Sequence, residues 1–144
     1  MVENDTVKLL RECDAGVKMA VASFDDVIDR IESSKLREMI DKSKKQHSEL
    51  GGKIAAALLD VSDEGKDPNP MAKGMSWIKT NMKMAMDNSD KTVADLMTDG
   101  CDMGVKSLSR YLNQYSAADE NSKNLTKELV KIELDLLTGL REFL

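Results

Sequence analysis

Residues 34–61 read SKLREMIDKSKKQHSELGGKIAAALLDV, and their apolar positions decide the fold. Leu36, Ile40, Ser43, His47, Leu50, Ile54, Ala57 and Val61 recur at intervals of three and four residues. That spacing lays them along one stripe of a helix. Ser43 and His47 are polar members of an otherwise aliphatic stripe, and His47 is the chain's single histidine. Ser33 and Ser34 stand just before the run, where a hydroxyl caps the first turn.

The same period runs outward in both directions. Upstream, Val7, Leu10, Asp14, Val17, Val21, Phe24, Ile28 and Ile31 form a first stripe, with Asn4 or Asp5 to cap it. The joint at Ser33 is short, so the first two helices run antiparallel. Downstream, SDEGKDPNP at 62–70 holds both prolines and ends the second helix. A shorter helix is expected at about 71–86, with Met75, Ile78, Met82 and Met86 on one side. Asp87 to Asp90 form the next break. Val93, Met97, Gly100, Gly104, Leu108, Tyr111 and Tyr115 mark a third long helix. Ser116 and Asp119 resemble a capping box with Asp in place of Glu. Leu125, Leu129, Ile132, Leu136, Leu140 and Phe143 carry the last helix.

The chain has 144 residues, a net charge of −5, 3% aromatic residues and two prolines. That is enough for one core, and it argues against a β-sandwich with its frequent turns. An acidic chain is a poor ligand for phosphate backbones, so no nucleic-acid partner is expected. Lys42, Lys44 and Lys45 then read as a solvated helix face. The N-terminus has no basic flank and no apolar core, and no run approaches a membrane span. Two distant cysteines are no disulfide framework. A cytoplasmic protein without a membrane partner is expected.

Four matched helices of about 25–30 residues, or roughly 40 Å each, form a bundle. The methionine-rich segment between the second and third is long enough to run back along it. The expected fold is therefore an all-α, ferritin-like antiparallel four-helix bundle over residues 1–144, with one long crossover containing a short helix.

Several local strings support that topology. They are Asp14-Ala15-Gly16, Ser48-Glu49-Leu50-Gly51, Trp77-Ile78-Lys79 and Asp99-Gly100-Cys101 running on to Tyr111. In order and spacing they resemble an uncharacterised bacterial family of the ferritin-like superfamily. The resemblance implies a small four-helix bundle whose domain is of unknown function. It brings no substrate.

A ferritin-like di-iron site takes a Glu from each of two helices and a Glu-x-x-His from each of the other two. One histidine cannot fill two such motifs, and Lys44 stands three residues before it. Ferroxidase, oxygenase and iron-storage chemistry are argued against on that ground. The helix midpoints fall near Lys18, Glu49, Met103 and Lys131, close to several donors. Asp14 and His47 lie on stripes, Glu49 and Glu133 flank theirs, and Cys101 lies at similar height. One reading is a buried polar layer whose members satisfy one another. The other is a degenerate site for one divalent metal, built from His47, Asp14, Glu133 and Cys101 with Glu49 nearby. Catalysis ranks below both, because no nucleophile neighbours His47. No other cofactor is expected.

The methionines at 71, 75, 82, 84, 86, 97 and 103 read as gap-filling core, or as an adaptable face for a partner. Copper capture by Met82, Met84 and Met86 fails on geometry, since alternate residues point apart on a helix. Trp77 reads as the anchor of the crossover helix. Gly16, Gly51, Gly52, Gly100 and Gly104 interrupt helices, and either tighten the bundle or leave room for a ligand. Cys13 and Cys101 read as small buried hydrophobes. The functional expectation is a non-enzymatic binding or interaction module, a homodimer through its amphipathic helices and Met face, with a small-molecule or protein partner.

Overall fold

The computed structural model describes residues 4–61 and 89–144. Four long helices account for nearly all of them: α1 (Asn4–Ile28), α2 (Ser34–Asp60), α3 (Asp90–Gln114) and α4 (Glu120–Leu140). A short 3-10 turn, Arg141–Phe143, finishes the chain. Among the described residues there is no strand. No described helix is long and apolar enough to cross a membrane. The short helix expected at 71–86, with Trp77 and most of the methionines, lies outside the described residues.

Serine and aspartate oxygens start the helices. Ser33 accepts from the Leu36 N–H at 3.2 Å, and Ser89 accepts from the Thr92 N–H at 3.3 Å. Asp119 accepts from the Ser122 N–H at 2.8 Å. The expected Ser116 box is thereby corrected: Asp119 is itself the cap, because it is the residue whose backbone is extended just before the first turn. Asp5 is corrected too, since it lies inside α1 and its carboxylate accepts from the bend between α3 and α4.

The contacts fix the helix directions. Gly51 of α2 approaches Val17 of α1, while Lys44 pairs with Asp25, so α1 and α2 are antiparallel. At the upper end, Asp90 of α3 accepts the backbone N–H groups of Glu32 and Ser33 at 2.9 and 2.8 Å. At the lower end, Asp5 accepts the Ala117 N–H at 3.0 Å, and Thr6 Oγ1 accepts the Asp119 N–H at 2.8 Å. Each hairpin's first helical turn thus clamps the other hairpin's bend. α1 and α4 rise together, and α2 and α3 descend together. α2 ends at the lower end and α3 begins at the upper one.

The core falls into two apolar clusters. The upper one includes Phe24, Ile31, Ile40, Met97 and Leu136, and the lower one Leu9, Val17, Ile54, Leu108 and Leu129. On α2 the sequence stripe holds from Leu36 through Ile54, and Leu58 then takes the inward place expected of Ala57 and Val61. A spacing of exact threes and fours drifts around a real helix by about 20° per seven residues, which exchanges one column for the next. α1 buries a broader face than one stripe, adding Leu9, Cys13 and Val27, because it meets all three other helices.

Two adjacent glycines on α2 differ in what surrounds them. A Cβ on Gly51 would stand 2.9 Å from Val17 Cγ1, whereas one on Gly52 would meet nothing within 4 Å. Valine is stiff about its first torsion and yields poorly. Gly52→Ala should therefore raise stability by about 1 kcal/mol through helix propensity alone. Gly51→Ala should lose about 1 kcal/mol net, as overpacking outweighs the same gain. Urea unfolding of the two variants checks the opposite signs.

Candidate polar centre of the bundle

His47 sits between the two apolar clusters and is fully buried. α2 brings it there because it occupies the inward stripe between Ser43 and Leu50. Its Nδ1 lies 2.7 Å from the carbonyl oxygen of Ser43, one turn earlier. A carbonyl only accepts, so Nδ1 carries a proton and donates it. Nε2 lies 2.8 Å from Oε1 of Glu133 on α4. That second contact needs a proton between nitrogen and oxygen, held as imidazolium with carboxylate or as imidazole with carboxylic acid. Either form leaves the pair neutral overall. Phe24 of α1 closes the ring's flank edge-on, with centroids 5.0 Å apart and planes at 71°.

Glu133 is buried as well, and its carboxyl lies under Gly104 of α3, where a Cβ would stand 3.5 Å away. That is ordinary contact distance, so the carboxyl packs directly against this stretch of α3. Cys101, on the same face of α3, has Glu133 as a neighbour. Its pKa is pushed well up, first by burial, then by the nearby Glu133, and last by Asp102. Cys13 pairs with Thr126 at 3.2 Å. Burial is the main cause that lifts its thiol from 9.0 to about 11, against the lowering effect of Thr126. Both cysteines are free and buried.

The structure brings together three of the residues that the sequence singled out: His47, Glu133 and Cys101. It separates the other two. The pairings Val17 with Gly51 and Asp25 with Lys44 set Asp14 level with Ile54. Asp14 is thus about two turns, roughly 10 Å, from His47. It is buried and pairs with Lys18 at 2.7 Å. The helix midpoints near Lys18 and Glu49 are level as expected, but Asp14 and His47 each precede their own midpoint, and in antiparallel helices that places them on opposite sides of it. Glu49 is exposed and lines an open depression of about 400 Å³ on α2 with Asp41, Lys44, Lys45 and Ser48. Its position two residues beyond His47 turns it away from the core. In that depression Lys44 pairs with Asp25 at 2.5 Å and Lys45 with Asp41 at 2.9 Å. The Asp25 hydrogen bond and charge raise the pKa of Lys44.

Among the described residues no group of three or more His, Cys, Asp or Glu side chains could hold a metal ion. A thiolate, not a thiol, is the nucleophile. Burial and the nearby Glu133 favour the protonated thiol at Cys101, and both ring nitrogens of His47 are engaged with Ser43 and Glu133. Phe24 and Gly104 were on the page as sequence, but only the packed helices show that they wall this pair.

No family model matches the chain, and no curated protein matches it. Among solved structures, the crystal structure of a DUF305 fragment from Deinococcus radiodurans is similar, with a TM-score of 0.75 and 12% identity. The match covers 98% of this chain and 95% of that one. DUF305 is a helical domain of unknown function, and at this identity the likeness is one of fold alone.

Glu133→Leu should destabilise the protein by about 3 kcal/mol, because it strips a buried imidazole of its partner. Glu133→Gln keeps a donor facing Nε2 and should stay within about 1 kcal/mol of wild type. Chemical denaturation distinguishes the two. The thiols give a second check. Burial favours the protonated thiol of Cys13, so its contribution to stability is present below pH 9 and is lost as pH rises towards about 11. Native alkylation at pH 8 should accordingly be slow at Cys13 and Cys101, and become fast on unfolding.

Proposed function

We propose that this chain is a ferritin-like bundle of the bacterial cytoplasm that works without a di-iron centre, as a non-enzymatic binding or interaction protein. The helix directions support the ferritin-like assignment. With α1 and α4 parallel, and α2 and α3 parallel, the chain between α2 and α3 has the whole length of the bundle to cover. Connection by one long crossover is the ferritin-like arrangement.

One observation carries the functional reading: both ring nitrogens of His47 are committed within the protein, to Ser43 and to Glu133. An imidazole whose two nitrogens are held by an internal carbonyl and carboxyl has neither lone pair turned to an open site. A homodimer is part of the same reading. Met103 on α3 and Leu134 on α4 are 53% and 42% exposed, which leaves apolar surface for a second copy.

One run of size-exclusion chromatography tests both parts, with light scattering and elemental analysis on the eluted peak. The protein should come from cells supplemented with iron, zinc and manganese. The expected result is the mass of two chains and far less than one metal per chain. One equivalent of metal that disappears in His47→Ala would replace this reading with the degenerate metal site around His47, Asp14 and Glu133. A monomer mass at high concentration would overturn the dimer.

A further inference from the structure

We propose that the His47–Glu133 pair is a register lock, the device within the core that selects one alignment of the α1–α2 hairpin against the α3–α4 hairpin, between the clamps at the two bends. The inference goes beyond the functional reading and does not depend on it.

Apolar packing alone selects the alignment poorly. The aliphatic inward residues of α2 are Leu36, Ile40, Leu50, Ile54 and Leu58, with Ser43 and His47 between them, and those of α4 are Leu125, Leu129, Leu136 and Leu140, with Ser122, Thr126 and Glu133 among them. The aliphatic side chains are branched and of nearly equal volume. Sliding one helix past the other by a turn exchanges one such contact for another, and cores tolerate exchanges that conserve volume. The two apolar clusters are also separate bodies above and below His47.

The polar pair does not tolerate the slide. Moved one turn either way, His47 would face Leu129 or Leu136, both buried. Glu133 would face Ser43 or Leu50. The imidazole would lose its partner in a hydrocarbon core, and an unmatched buried polar group is penalised far more than a matched one is rewarded. A single polar position fixes alignment in the same way in coiled coils. Gly139 gives a second mark of the same register. A Cβ there would come within 2.8 Å of Met39 Sδ, so Met39 rests in a gap that the slide would remove.

Backbone amide correlation spectra of His47→Leu/Glu133→Leu and of Glu133→Gln test the lock. The double leucine variant should remain helical, with a denaturation midpoint no lower than that of wild type. It should nevertheless show more than one cross-peak per amide along α2 and α4. Glu133→Gln, which keeps a polar pair at the same height, should show a single cross-peak per amide. A double leucine variant with one sharp cross-peak per amide would overturn the proposal. So would its failure to fold, since the argument requires that the aliphatic stripes suffice for stability. Multiple cross-peaks in Glu133→Gln would also overturn it.

Discussion

A hydrogen bond between imidazole and carboxyl in a hydrocarbon core is tolerable only when the remaining polar atoms nearby have partners too. Much of the bundle is arranged around that condition. The carbonyl of Ser43 takes the second ring nitrogen, and the carboxyl of Glu133 lies beside Gly104. Phe24 shields the imidazole, while the buried Cys101 thiol neighbours Glu133. Every helix contributes one of these groups: Phe24 from α1, His47 and Ser43 from α2, Gly104 and Cys101 from α3, and Glu133 from α4. The four helices therefore share one polar point, and their apolar faces close above and below it.

How much of this could be read from the chain depends on which interactions are local. The stripe of α2 was legible through Ile54, because burial on one face of one helix leaves a period in that helix. Ser33 as a cap was legible for the same reason. Glu133 was harder. Periodicity on α4 favours Ile132 as the inward residue, yet Ile132 is half-buried and Glu133 is buried. Glu133 also shares the inward phase of Leu129, Leu136 and Leu140, at spacings of four, three and four. Its partner His47, 86 positions earlier on another helix, leaves no mark within α4. For Asp14 the stripe was right, and it is buried, but in an antiparallel pair a residue before one midpoint lies on the opposite side from a residue before the other.

Lys44, three residues before His47, pairs with Asp25, while the carboxyl that His47 meets comes from across the bundle on α4. The single imidazole of the chain is thereby a contact between helices, and burial beside Glu133 keeps the neighbouring Cys101 thiol protonated.

The reciprocal clamps at the two ends bear on where the assembly instructions reside. Asp90 holds the bend at Glu32 and Ser33, while Asp5 and Thr6 hold the bend at Ala117 and Asp119. Each hairpin thus carries both a hook and the loop that the other's hook catches. Recognition between the halves is written in the helices themselves, independently of any covalent continuity between them. The molecule is in this sense two complementary pieces, each hooked to the other at both ends by contacts that lie within residues 4–61 and 89–144.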